Sequence, residues 1–149
     1  MKTEPSTFGL EDLKRAPGQT TCWDGVRNFQ ARNMLRDEMR KGDHAFLYHS
    51  SCEQPGIVGI VEIVREGYPD PTQFDRRHAH YDPASKRDAP RWYMVDVKLS
   101  KPFSRVISLA ELRAHERREL AGMLILRPGN RLSITPVEPA HWKFILSLV

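Results

Sequence analysis

Cysteine is almost missing from this chain: Cys22 and Cys52 are the only two among 149 residues. Two thiols cannot build the dense disulfide framework of a small secreted domain, and they lack metal-ligand spacing, so a reducing compartment is expected. Long apolar runs are missing too. No stretch approaches the roughly 20 residues needed to span a bilayer. The start, MKTEPSTFGL, has no secretory apolar segment. Repeats, low-complexity tracts and long linkers are also absent. The expectation is one soluble, intracellular domain over residues 1–149, cytoplasmic and without a membrane partner.

What remains is polar and well mixed. The chain is 40% hydrophobic and 28% charged, which are ordinary globular proportions. Its net charge of +4 permits a polyanionic partner such as nucleic acid without requiring one.

Turn residues and periodicity divide the chain into short elements. STFGLEDLKRAPG reads as a short helix stopped by Pro17 and Gly18. Residues Arg27 to Lys41 have helical spacing, with Gly42 placed as a C-terminal stop. HAFLYHS and the β-branched IVGIVEIV, joined by SCEQPG, read as a hairpin. The Pro-, Asp- and Arg-rich stretch from Tyr68 to Pro90 reads as a long loop, functional or mobile. RWYMVDVKLSKPF alternates, with Tyr93, Val95, Val97 and Leu99 on one face, as in a half-buried strand. Ser108 to Glu111 has capping-box spacing and opens another helix. GNRLSITPV offers a turn and a strand, and PAHWKFILSLV a final helix burying Trp142, Ile145, Leu146 and Val149. Hairpin-like strands separated by short helices favour an α+β fold around a curved, mostly antiparallel sheet.

One segment is too polar to be mere packing and too aromatic to be mere surface: WDGVRNFQARN, Trp23 to Asn33. Trp23 is either a core tryptophan at the end of the sheet or the flat wall of a pocket where an unpaired base stacks. Asn28 either braces the turn or forms a pocket floor. Arg32, Arg36 and Arg40 recur every four residues, as a solvated face or as a phosphate-tracking stripe. Tyr48 to Ser51 end a strand in polar groups, suited to a ligand site or simply to starting a turn.

Other constellations are weaker. Asp75, His78, His80 and Asp82 crowd one loop, but Arg76 and Arg77 beside them oppose a cation, so no metal is expected. Cys22 or Cys52 with His49 lacks an oxyanion-forming turn, and RPGNR lacks phosphate-loop spacing.

Taken in order, KTEP (Lys2 to Pro5), WDGVRNFQARN, YHSSCEQPGIVGIVEI, YPDPTQFD, RWYMVDVK, ISLAEL and RLSITPV resemble the EVE-domain family over nearly the whole chain. The resemblance implies a PUA-like pseudo-barrel, related to the YTH domains that read methylated adenine in RNA. It also implies a pocket for a modified nucleobase, with 5-methylcytosine or 5-hydroxymethylcytosine in DNA favoured and RNA bases within reach. No cofactor is implied. Carried over by position, Trp23 is the stacking wall, while Asp24 and Asn28 shape the turn and floor. Lys2, Thr3 and Glu4 lie beside the base, and Tyr48, His49, Ser50, Ser51 and Ser133 complete the match. Tyr68 and Tyr81 are candidates for the opposing wall, and Arg27, Arg32, Arg36 and Arg40 for phosphate contacts. One departure stands out: family members begin with an aromatic, apolar strand before this segment, whereas here Met1 precedes it directly. Either the start lies upstream or the sheet edge is shortened. The competing functions are a small enzyme acting on a nucleobase or nucleoside, and a metabolite-binding protein using the same pocket.

Overall fold

A computed structural model describes all residues, 1–149. Strands β1 (Lys2–Thr3), β2 (Thr20–Cys22), β3 (His44–His49), β4 (Gly56–Pro69) and β5 (Tyr93–Ser108) form one sheet in the order β1-β3-β4-β5-β2. The β1–β3 pairing is parallel and the other three are antiparallel. The expected α+β architecture is therefore present.

The central hairpin sets the shape. β4 and β5 run 14 and 16 residues, well beyond an ordinary strand. Their register shifts at four places between Ile57 and Tyr68. Each irregularity bends its strand and increases local twist, so the sheet curls instead of lying flat. It does not close. The two edges are β1 and β2, of two and three residues, and they do not pair with each other. The result is a pseudo-barrel with an open seam.

Side-chain alternation divides the interior in two. On β3, Leu47 enters a core with Leu13, Trp23, Leu35, Val61, Val95 and Val97, while its neighbours Phe46 and Tyr48 enter a second with Ile57, Ile107, Leu112 and Ile145. Short helices cover these cores: α1 (Leu10–Arg15), α2 (Phe29–Asn33), α3 (Leu109–Ala114) and α4 (Pro139–Ser147). Ser108 caps α3, its hydroxyl accepting the Glu111 N–H at 3.1 Å as its spacing predicts. No helix is long and apolar enough to cross a membrane.

Three sequence expectations fail locally. The helix expected over Arg27 to Lys41 is only α2, followed by a π-helical turn at Met34–Glu38. Gly67 of β4 lies against that turn so closely that a Cβ there would sit 2.6 Å from the Leu35 carbonyl oxygen. Gly42 does not stop a helix; its N–H donates to Ile63 O at 2.8 Å, joining the sheet. GNRLSITPV forms no strand, although Ser133 O accepts the Lys2 N–H at 2.8 Å. Leu146 on α4 and Val149 beyond its end remain exposed, and His141 is buried with Ile145 instead. His141 is accommodated because its Nε2 meets the Ala121 carbonyl at 3.0 Å.

Candidate functional site

The segment beginning at Trp23 folds around a buried carboxylate. Asp70, fully buried, accepts hydrogen bonds from the Gly25 N–H (2.8 Å), Arg27 Nη1 (3.1 Å), and the Thr72 N–H and hydroxyl (2.8 and 2.6 Å). Burial acts to raise its pKa, but the bonds from Thr72, Gly25 and Arg27 prevail and hold it below the usual carboxylate range. Arg27 also donates to the His80 carbonyl from Nε and Nη2 at 3.0 and 2.7 Å. This latch ties the Trp23–Asn28 turn to the long loop.

Gly25 is required twice over. Its φ is +78°, a conformation that side chains disfavour, and an added Cβ would lie 2.7 Å from the His80 ring. The long loop is ordered rather than loose. Buried Gln73 donates to the carbonyls of Asp70 and Trp92, and its oxygen accepts from Ser85, Arg91 and Trp92.

Between the two unpaired sheet edges lies a cavity of about 370 Å³. Thr3 comes from β1, and Thr7 and Phe8 from the segment after it. Thr21 and Cys22 come from β2, Trp23 and Asp24 from the turn beyond, and His80 from the long loop. Trp23 keeps only 8% of its surface exposed, so it belongs to the core and borders the cavity at once. The other lining groups are hydroxyls, a thiol, a carboxylate and an imidazole beside the Phe8 ring. That set offers donors and acceptors around apolar walls, the chemistry needed to bind a planar heterocycle by its edge. Exposed Asp24 suits an exocyclic amine as partner. A second hollow of about 260 Å³, bordered by Met34, Met123, Ile125 and Trp142, is lined by 13 hydrophobic residues out of 17. Its polar members, Asp43, His44, Tyr48 and Thr135, are a minority among apolar walls.

Of the residues expected at the base, Thr3, Trp23 and Asp24 line the cavity; the others do not. Lys2 pairs through its backbone with Tyr48 and Ser133, and Ser133 is engaged by that contact. Glu4 is exposed, its carbonyl closing the turn to Thr7 and Phe8. Asn28 is exposed and caps α2, with Oδ1 accepting the Ala31 N–H at 3.0 Å. Tyr48 points into the second core and borders the apolar hollow. His49 Nε2 accepts the Leu10 N–H at 3.1 Å, and burial lowers its pKa, keeping it neutral for that role. Ser50 braces Thr3 O, and Ser51 sits in a turn at φ +53°. Tyr68 donates to Asp96 and lies under Arg65, whose guanidinium is 3.5 Å from the ring centre. Tyr81 borders the loop, but its neighbour His80 is the residue that reaches the cavity.

The four arginines also separate. Arg27 is committed to Asp70 and the loop, and Arg36 is paired with Asp37 through both Nε and Nη2 at 2.8 Å. Arg32 has no carboxylate partner, bonding only to Asn33 and the Arg91 carbonyl, and Arg40 reaches only the Met39 carbonyl. Free positive charge therefore sits on Arg32 and Arg40. Burial and the nearby Asp24 and Asp96 push the Cys22 thiol up, away from the thiolate a nucleophile requires. No three His, Cys, Asp or Glu side chains converge as a metal-holding group.

Comparisons with known proteins agree with this fold. Human thymocyte nuclear protein 1 is 48% identical over 99% of this chain and 72% of its own length. A crystal structure of human THYN1 protein in complex with 5-methylcytosine-containing DNA superimposes with a TM-score of 0.94, at 48% identity, covering 99% of this chain and 94% of that one. A Pseudomonas syringae protein of 41% identity superimposes with a TM-score of 0.92, covering 99% of this chain and 96% of that one. The cytoplasmic location expected from the sequence is overturned, because the human and zebrafish (Danio rerio) relatives are named as nuclear proteins. The EVE-domain model matches residues 1–148, and the chain belongs to the EVE-domain family.

Proposed function

We propose that this chain is a non-catalytic reader of DNA carrying 5-methylcytosine, and that the modified base enters the seam cavity beside Trp23. One observation carries the reading. Of the two hollows described, the one whose lining is mostly polar, with three hydrophobic residues of eight against 13 of 17, lies between the unpaired edges of the sheet and is walled by Trp23 and Phe8. The chain's likeness to a protein solved with 5-methylcytosine-containing DNA supports the choice of ligand.

In this arrangement the base stacks against the exposed margins of Trp23 and Phe8. Asp24 accepts from the exocyclic amine, and threonine hydroxyls serve the remaining edge. Extracting a base from a duplex costs a few kcal/mol, which stacking and edge hydrogen bonds must return. The 5-methyl group adds about 0.8 kcal/mol at full burial, about fourfold in affinity, so any larger preference requires shape exclusion as well. Arg32 and Arg40 supply sequence-independent phosphate attraction.

Titrations against matched strands carrying cytosine, 5-methylcytosine or 5-hydroxymethylcytosine, as DNA and as RNA, test the reading. The expected result is tighter binding of methylated DNA with strand mass unchanged after incubation. Equal affinity for methylated and plain DNA contradicts base reading, and a changed mass contradicts the non-catalytic role.

A further inference from the structure

We propose that Trp92, Phe29 and Arg32 form an external stacking platform for an unpaired base flanking the one held in the cavity. The inference rests on the nucleic-acid reading above and names a second contact that the cavity does not supply.

Phe29 opens α2 and is 50% exposed, the most exposed large hydrophobic residue in the chain. The helix buries Ala31 and not Phe29, so packing of α2 on the core does not account for its position. Phe29 lies stacked on Trp92, with ring centres 4.7 Å apart and planes 21° from parallel. Trp92 is itself fixed, its indole N–H donating to Asp82 at 2.7 Å and its backbone held by Gln73. The Arg32 guanidinium sits 4.8 Å from the Phe29 ring centre, held by the Arg91 carbonyl at 2.7 Å. An exposed aromatic on a rigid support, with a guanidinium lacking a carboxylate partner over its ring, presents stacking planes for a base and a charge for the adjoining phosphate.

The platform and the cavity share one frame. Arg27 lies 5.5 Å from the Trp92 ring centre and donates to the His80 carbonyl, while His80 lines the cavity. A strand with one base in the cavity thus meets the platform close by, and the unpaired positive charge of Arg32 complements its backbone.

The bland alternative is that Phe29 only shields Trp92 from water. Phe29→Leu separates the two, because leucine still covers Trp92 but has no aromatic plane. Affinities of the wild type and Phe29→Leu are measured on single-stranded DNA with one 5-methylcytosine, and on strands in which each neighbouring nucleotide in turn is abasic. The expected loss on the intact strand is about tenfold, with thermal midpoint unchanged and recovery in Phe29→Tyr. On one abasic strand the loss should vanish. No loss on the intact strand, or a loss that persists on every abasic strand, overturns the platform. If the wild type binds methylated and plain strands alike while this pattern holds, the cavity reading fails and the platform stands. If the wild type binds no strand, both fail.

Discussion

Two hollows of this fold are similar in size but differ in the balance of their linings. The seam cavity holds about 370 Å³ and is lined mostly by polar side chains, whereas the second holds about 260 Å³ and is bordered by methionine, isoleucine and Trp142. The difference follows from position. The apolar hollow borders the second core, where alternation along β3 directs Phe46 and Tyr48. The seam cavity exists because a curled five-stranded sheet leaves two edges unpaired, and edges present polar groups by necessity. A fold that failed to close has thereby gained a site able to form hydrogen bonds with a ligand.

Substitutions can break this contrast. The largest effect is expected at Asp70. Asp70→Ala removes the acceptor for Gly25, Arg27 and Thr72 at once, and should destabilise the fold by about 3 kcal/mol. That lies at the low end for a broken buried pair, because the Arg27 side chain retains 20% exposure. Preference for methylated DNA should fall with it, since the latch holds the His80 wall. Chemical denaturation and paired titrations read both quantities.

Met123→Ala, at the apolar hollow, should cost about 2–3 kcal/mol of stability yet leave the ratio of methylated to plain affinity unchanged. A changed ratio there would erase the distinction between the two hollows. Arg32→Ala should weaken binding to methylated and plain strands equally and reduce the salt slope by about one. Arg36→Ala should do less, because Asp37 already neutralises Arg36.

The smallest effect concerns pH. Burial lowers the His49 pKa below its ordinary value, so the unfolded chain binds the proton more readily than the folded one. His49 thus contributes full stability above about pH 6.5, and that contribution declines as the pH falls through the lowered folded value. Protonation removes the acceptor for the Leu10 N–H. Hydrogen exchange at Leu10 should accelerate in mild acid while β4 amides stay protected. Asp70 behaves in the same direction but later, losing its contribution only as the pH falls below about 4 towards its depressed folded pKa.

Elements with strong local signals were readable from sequence: the β-branched run of β4, the alternation in β5, the Ser108 cap and Pro139 at the start of α4. Where periodicity misled, a tertiary approach was responsible. Helical spacing continues past Asn33, but Gly67 brings β4 against the backbone there and the chain winds into a π-turn.

The candidate site was legible only in part. Trp23, Asp24 and Thr3 lie in distinctive motifs and reach the cavity, but Thr7, Phe8, Thr21, Cys22 and His80 were missed. They carry no pattern of their own, and only closure of the long loop onto the Trp23 turn unites them. Gly25 beside a tryptophan was the available hint, since a glycine at such a turn leaves room for another ring, here that of His80. Asn28, Tyr48 and His49 illustrate the converse: polar or aromatic residues in motif-like strings that serve a cap, a core and a helix end.

Filling the seam is the most direct test. Cys22 is exposed on an edge strand and lines the cavity without belonging to either core, so Cys22→Phe should occupy the space with little loss of stability. Titration of that variant against methylated and plain DNA should show the two affinities converging, with residual binding still salt-dependent. Undiminished preference for 5-methylcytosine in a stably folded Cys22→Phe variant would place the base elsewhere and contradict the account.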